Sequence, residues 1–118
     1  MQRDEIYLRN ILALGAELDA LLTGVEASTF IATDCIRSAV LLKLIFIGEA
    51  TRYISDELRN RHPEIRWSRI VGFRNVTVHQ YWEVDWAIVW STANFDAQQN
   101  RDQVAAILDS EFPSNLSG

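Results

Sequence analysis

Apolar residues recur at three- and four-residue intervals along the first part of the chain, which is the spacing of an amphipathic helix. The pattern predicts a helix from about Asp4 to Leu22, closed by Thr23-Gly24. A second helix is predicted to begin at Asp34, whose side chain can cap it, and to continue past Ile47 toward Ile54. Its middle is apolar almost all round, so we expect it to be buried on several sides and to offer a surface for self-association.

The second half of the chain carries further helix signals. Ser55-Asp56 begins another turn, and His62-Pro63 then breaks the chain. A helix is predicted from Trp67 or Ser68 to about His79, and a last helix from Val84-Asp85 onward. Because no alternating strand of useful length is found, the predicted fold is an all-α, up-and-down bundle of four or five helices.

The length of 118 residues suits one hydrophobic core, so residues 1–112 are predicted to form a single helical domain and residues 113–118 a flexible tail. The single cysteine, Cys35, excludes an intramolecular disulfide and is expected to be inert packing on an apolar face. With no secretory signal pattern, we expect a cytoplasmic protein. The longest apolar run is interrupted by Lys43 and is shorter than the roughly 18 residues of a membrane span, so no membrane role is expected.

The net charge of −5 argues against a generally basic nucleic-acid binder, but the charge is unevenly distributed. Residues 1–51 carry −3 and residues 83–118 carry −5, whereas residues 52–82 carry +3 through six arginines and three acids. Arginine presents a planar fork of donors that suits phosphate. A solvated helix face is the alternative interpretation of this cluster.

Residues with catalytic chemistry are concentrated in Arg74-Asn75 and His79-Gln80-Tyr81. Asn75 and His79 are four residues apart and share a face of an ideal helix, whereas Arg74 and His79 are five apart, about 140° around it. Arg74 and His79 therefore do not converge on a straight helix. A joint site requires either that the helix unwinds near His79 or that a second subunit completes the site across a dimer axis.

Histidine transfers protons near neutral pH, and arginine binds phosphate and offsets developing charge. These abilities match RNA cleavage by attack of a ribose 2′-hydroxyl on the adjacent phosphate. His79 would move a proton, Arg74 would stabilise the charge, and Asn75 would orient His79 or the phosphate. The reaction requires no metal or other cofactor, and the two histidines and Cys35 lack the spacing of a zinc ligand set. The bare spacing is a weak signal, and on spacing alone the favoured interpretation is a histidine bonded to backbone at a helix end.

Six short motifs follow one another along the chain. They are Ile47-Gly48-Glu49-Ala50, Arg61-His62-Pro63-Glu64-Ile65, Trp67-Ser68-Arg69-Ile70-Val71-Gly72, Arg74-Asn75 with His79 and Tyr81, Val84-Asp85 and Val89-Trp90. On these residues the chain, from Asp34 to about Leu108, resembles the HEPN family and, within it, the HepT toxins.

The resemblance implies an all-α homodimer in which Arg74 and His79 line a cleft between subunits. It implies a metal-independent endoribonuclease toxin that cleaves RNA, with tRNA among the candidate substrates. It also implies a cognate nucleotidyltransferase antitoxin, which neutralises the toxin by adding AMP to Tyr81. Judged without the resemblance, Tyr81 is a partly buried amphipathic anchor. The chain departs from the family pattern at residues 42–45, where Ile45 cannot supply a carboxylate.

Other residues allow two interpretations. Glu49 either orients His79 or Arg74, or forms an ordinary surface pair with Arg52 or Arg37. The tryptophans at 82, 86 and 90 are spaced by four residues, which favours core or interface packing over stacking on RNA bases. His62 is predicted to be structural.

The competing function is a non-catalytic helical dimer that binds and regulates the partner nucleotidyltransferase, because fold alone does not decide function. Direct nucleotide binding is a less favoured candidate function, since the sequence has no phosphate-binding loop.

Overall fold

The computed structural model describes residues 3–75 and 79–113, and at Ile70, Arg74, Asn75 and His79 it describes the backbone alone. The α-helices in these ranges are α1 (Arg3–Leu22), α2 (Ala27–Ala32), α3 (Asp34–Arg52), α4 (Asp56–Arg61), α5 (Trp67–Val71), α6 (Trp86–Ser91) and α7 (Ala97–Glu111). Two 3₁₀ turns follow α5, the first over Gly72–Asn75 and the second over His79–Glu83. A π turn over Thr92–Asp96 joins α6 to α7. The described residues contain no β-strand, and the predicted all-α class is confirmed.

The core is built around α3, which contacts α1, α2, α5, α6 and the first 3₁₀ turn. The helix buries one continuous apolar face, and α1 packs against both α3 and α7. The residues buried in these three helices include Leu8, Ile11 and Leu18 of α1, Val40, Leu41, Leu44 and Ile47 of α3, and Val104, Ile107 and Leu108 of α7. Burial of each large aliphatic side chain contributes roughly 1.5–3 kcal/mol, so these three helices supply most of the apolar stabilisation.

The end of α1 follows the sequence prediction. Gly24 has a φ of +76°, a conformation that glycine adopts without steric cost, and the Val25 amide donates to the Leu22 carbonyl at 3.0 Å. The chain therefore leaves α1 at Thr23-Gly24.

The six-residue helix α2 was not predicted, because fewer than two helical turns are too short to establish an apolar period. Its residue Phe30 is fully buried, and the Phe30 ring lies 5.2 Å from the Trp90 ring and 6.3 Å from the Trp86 ring. Packing against α6 therefore holds α2 in place, as expected for a helix too short to be stable alone.

The predicted capping role of Asp34 is wrong. Thr33 is the N-cap residue of α3 and makes no side-chain capping bond, while Asp34 is the first helical residue. The carboxylate of Asp34 instead accepts hydrogen bonds from Arg37 and Tyr81. The prediction that Cys35 is buried packing is also wrong, because its position in the first turn of α3 leaves it exposed.

Contacts between residues far apart in the sequence hold α4 at both of its ends. At its start, Ser55 caps the Leu58 amide at 3.2 Å, and Asp4 accepts from the Ser55 amide at 2.8 Å and from its hydroxyl at 2.6 Å. At its end, Arg61 donates to Glu111 at 2.7 Å, and His62 also bonds Glu111. The predicted turn at Ser55-Asp56 is thus a capped helix joined to both α1 and α7.

The helix predicted from residue 67 to 79 is shorter than expected. α5 ends at Val71, and the backbone continues as the first 3₁₀ turn from Gly72. Glycine in a helix interior costs about 1 kcal/mol relative to alanine, so Gly72 is a natural place for the α-helix to stop. No helix in the two described ranges is long and apolar enough to cross a membrane. Of the predicted tail, residues 114–118 lie outside the described part.

Replacement of Ser55 by alanine should lower the free energy of unfolding by about 1 kcal/mol or more, because α4 loses its N-cap and α1 loses a bond to α4. Urea unfolding followed by circular dichroism measures the change. Ser91→Ala, at an exposed serine that makes no capping bond, is the matched control. Equal stability of the two variants would show that the Asp4-Ser55-Leu58 contacts contribute nothing.

Candidate active site

The predicted catalytic motif lies on the two 3₁₀ turns that follow α5. Arg74 and Asn75 end the first turn, and His79 begins the second. The side chains of these three residues lie outside the described part of the structure, so their catalytic roles stay predictions. The backbone does exclude a continuous α-helix from Trp67 to His79, and the separation of about 140° expected for such a helix therefore does not apply.

The first 3₁₀ turn is anchored to the core. It packs against α3 and α5, and Phe73 lies partly buried against the core residues. The backbone at Arg74 is therefore held against the central helix α3 by this packing.

The second 3₁₀ turn is anchored by Tyr81. The half-buried Tyr81 places its hydroxyl 2.6 Å from Oγ of Ser38 and donates to Oδ1 of Asp34 at 3.1 Å. With the phenol donating to Asp34, the Ser38 hydroxyl donates to the phenol oxygen. The Tyr81 ring also meets the Trp86 ring edge to face at 5.4 Å. The interpretation of Tyr81 as a partly buried anchor matches this geometry.

The partners of Tyr81 were not predicted as site residues. Asp34 and Ser38 are one helical turn apart on α3 and lie 47 and 43 residues before Tyr81 in the sequence. Their four-residue spacing places them on one face, but nothing local in the sequence points from that face to Tyr81.

The charges beside Tyr81 are fixed by Arg37. Its guanidinium donates to Asp34 at 3.0 Å, also bonds the Ile31 carbonyl, and lies 5.2 Å from the centre of the Trp86 ring. The bond from Arg37, followed by the bond from Tyr81, holds the pKa of Asp34 below its usual value, because both donors favour the charged carboxylate. Asp34 is therefore ionised at neutral pH.

Glu49 is found in one of its two predicted arrangements. Its carboxylate accepts from Arg52 at 3.1 Å. Glu49 also lines a groove of about 460 Å³ between α1 and α3, together with Leu14, Phe46 and Tyr53. The other predicted role of Glu49, to orient Arg74 or His79, stays a prediction because the side chains of those two residues lie outside the described part.

The three tryptophans spaced by four residues have different environments. Trp86 and Trp90 are partly buried against Phe30, which agrees with packing. Trp82 is 84% exposed, so core packing is wrong for this residue, whereas packing at an interface stays a prediction. The α-helical spacing does not hold across these positions because Trp82 lies on a 3₁₀ turn and Trp86 begins a separate helix.

The structural role predicted for His62 agrees with its contacts. Its ring bonds Glu111, and its carbonyl accepts from the Trp67 indole at 3.1 Å. Desolvation alone would raise the pKa of Glu111, but the bonds from Arg61 and His62 outweigh it and lower the pKa. Among the residues whose side chains are described, no group of three His, Cys, Asp or Glu is arranged to hold a metal ion.

Comparison with known proteins identifies the family. Residues 11–107 match the family described as HepT-like, "Ribonuclease HepT-like", and the chain belongs to this family. The matched range includes α3, both 3₁₀ turns and most of α7. The resemblance seen in the sequence motifs is thereby confirmed.

Three relatives illustrate how far the similarity extends. A "Putative RNase" of Methanocaldococcus jannaschii is 30% identical over 101 residues, which cover 86% of this chain and 93% of the relative. A "Putative RNase" of Caldanaerobacter subterraneus is 29% identical over 111 residues, covering 94% and 99%. A "Probable ribonuclease HepT" of Thermococcus cleftensis is 36% identical over 58 residues, covering 49% and 53%. No solved structure gives a significant match.

Replacement of Tyr81 by phenylalanine should raise the pKa of Asp34 toward its ordinary value, because one of the two donors that stabilise the carboxylate is lost. A depressed pKa in the folded state stabilises the fold above the unfolded pKa, and that contribution is lost as the pH falls through the folded value. The variant should therefore lose less stability than the wild type on acidification below about pH 4. NMR titration of the Asp34 carboxyl carbon measures the pKa directly.

Tyr53→Phe, which leaves the bonds to Asp34 intact, is the control for this titration. An unchanged Asp34 titration in Tyr81→Phe would contradict the Tyr81-Asp34 bond.

Proposed function

We propose that this protein is a metal-independent endoribonuclease whose catalytic residues are Arg74 and His79. The observation that carries the proposal is the family match over residues 11–107, which includes the whole segment from Arg74 to Tyr81. The two 3₁₀ turns add support, because they remove the straight helix on which Arg74 and His79 would point apart.

The proposed reaction needs only groups of the protein and the RNA. The ribose 2′-oxygen attacks the adjacent phosphorus while the bond from phosphorus to the 5′-oxygen of the next nucleotide breaks. The products are a 2′,3′-cyclic phosphate and a 5′-hydroxyl. His79 transfers a proton in this exchange, and Arg74 stabilises the negative charge that develops on the phosphate oxygens. Asn75 orients the His79 ring or the phosphate.

The site is proposed to lie at the interface of a homodimer. Support comes from α3, which exposes Leu42 and Phe46 one helical turn apart, each with almost half of its surface accessible. Two adjacent apolar side chains on a central helix are suited to contact with a second copy. A dimer would also bring two copies of the +3 segment, residues 52–82, toward one RNA, which offsets the acidic ends of the chain.

The protein is further proposed to be the toxin of a toxin-antitoxin pair that acts in the cytoplasm. Its partner would be a nucleotidyltransferase that inactivates the toxin by transfer of AMP to Tyr81. The position of Tyr81 supports this idea, because it shares the second 3₁₀ turn with His79 and its hydroxyl bonds Asp34 near the surface. An added phosphodiester would bring negative charge beside the motif and compete with RNA for Arg74.

A second candidate function is a non-catalytic helical dimer that binds and regulates the nucleotidyltransferase. The exposed apolar side chains on α3 fit this role as well. The two functions differ in what they require of His79, because only the ribonuclease needs its proton transfer.

Substitution of His79 or Arg74 by alanine should reduce RNA cleavage by about 100-fold or more in the presence of EDTA, because each removes a main catalytic contribution. Purified, unmodified protein is incubated with total RNA and tRNA, and the fragment ends are mapped. Arg9→Ala is the control, because it removes one positive charge outside the motif, as Arg74→Ala does within it. Cleavage by His79→Ala at the wild-type rate would refute the assignment, and a verified unmodified wild type that does not cleave would favour the non-catalytic dimer.

Co-expression with the cognate nucleotidyltransferase should add one or more AMP units to Tyr81, because this phenol adjoins the motif. Intact mass and peptide mass spectrometry locate the modification. Tyr81→Phe should remain unmodified and Tyr53→Phe should be modified as fully as the wild type. Modification at another residue would refute the role assigned to Tyr81.

A further inference from the structure

The indole of Trp82 is far more exposed than those of the other three tryptophans of this chain. Trp67 is only 8% exposed, and Trp86 and Trp90 pack against Phe30, whereas 84% of Trp82 is accessible. Exposure of so large an apolar ring forgoes the stabilisation that its burial would bring. An environment outside the isolated chain would account for this position.

The exposed ring is nevertheless held by ordered neighbours. The Tyr81 ring lies perpendicular to the Trp82 ring, with the ring centres 5.3 Å apart. Tyr81 is itself fixed by Ser38, by Asp34 and by the Trp86 ring. A flat ligand that stacks on Trp82 would therefore meet a platform that is already in place, with a low entropic cost of ordering.

Trp82 also belongs to the same 3₁₀ turn as His79. The two residues are three positions apart, and a 3₁₀ helix has three residues per turn, so they occupy the same angular position on the turn. The rise over three residues is about 6 Å, which is close to the spacing of neighbouring nucleotides in a single strand. The Trp82 backbone thus lies about one nucleotide spacing from the backbone of His79, the proposed proton-transfer residue.

We propose that Trp82 is a nucleobase-binding subsite, on which an unpaired base of the RNA substrate stacks beside the cleaved phosphate. The proposal rests on the ribonuclease function proposed above. Aromatic rings bind bases of single-stranded RNA in this way, and the interaction tolerates different bases because every base has a flat π face. Trp82 therefore favours substrates that are single-stranded at the cleavage site.

The surroundings of Trp82 favour a base over a protein partner. Its neighbours Gln80 and Glu83 in the turn are polar and exposed, and the adjacent Tyr81 ring is half-buried, so the indole is the exposed ring of this turn. A stable protein interface buries about 800 Å² on each partner around a continuous apolar centre. One exposed flat ring matches one flat base.

The test compares Trp82→Ala and Trp82→Phe with the wild-type protein. The probe is a short single-stranded oligonucleotide with 2′-O-methyl groups, which cannot undergo attack by the 2′-oxygen. Trp82→Ala should bind it roughly fivefold more weakly or worse, whereas Trp82→Phe should stay close to the wild type. On cleavable RNA the loss should be seen mainly in KM. Phe95→Ala removes another exposed aromatic ring, 68% accessible and outside the motif, and should leave binding unchanged.

A series of probes, each lacking one base, identifies the contact. One position in the series should weaken wild-type binding and have no further effect on Trp82→Ala. Equal binding of all probes by the wild type and Trp82→Ala would overturn the inference and leave the ribonuclease proposal intact. A smaller particle mass of Trp82→Ala in light scattering, with no effect of base removal, would mean that Trp82 is a subunit contact instead. A wild type that neither binds nor cleaves RNA would overturn both proposals.

Discussion

The hydroxyl of Tyr81 joins the segment that carries the proposed catalytic motif to the central helix. Its bonds to Ser38 and Asp34 connect the second 3₁₀ turn to the first two turns of α3. The hydrogen bonds of a 3₁₀ turn have poorer geometry than those of an α-helix, so such a turn is weakly determined by its own backbone. The position of the His79 backbone therefore depends on the bonds between Tyr81 and residues more than forty positions earlier in the sequence.

That contact is part of a larger network. Asp34 serves both Tyr81 and Arg37, and Arg37 in turn lies against the Trp86 ring. The carboxylate, the guanidinium and the rings at 81, 82 and 86 are therefore linked by a chain of direct contacts. A single covalent modification at Tyr81 would disturb the start of α3, the exposed indole and the motif at once.

The parts of the fold that were predicted from the sequence depend on local signals. The apolar period of α1 and α3, the turn signal at Ser55-Asp56, the start of the last helix at Val84-Asp85 and the glycine at 24 each act over a few residues, and the structure contains each of them. The sequence predictions are wrong where the local structure depends on a residue that is distant in the sequence. Asp34 fails as a cap because Arg37 and Tyr81 bind its carboxylate, and α2 exists because Phe30 packs on α6. For the site, the motif itself is local, whereas the anchoring of Tyr81 and the exposure of Trp82 depend on tertiary structure.

The position of α4 has a consequence for the way the whole chain unfolds. This six-residue helix is bound at its start by Asp4, 51 residues before Ser55, and at its end by Glu111, 50 residues after Arg61. Closing loops of this length costs conformational entropy that is recovered only when both contacts form. The first and last helices therefore share one point of attachment in the middle of the sequence. Partial opening at either terminus weakens the support of the other, so the bundle should melt in a single cooperative step without a stable half-folded form.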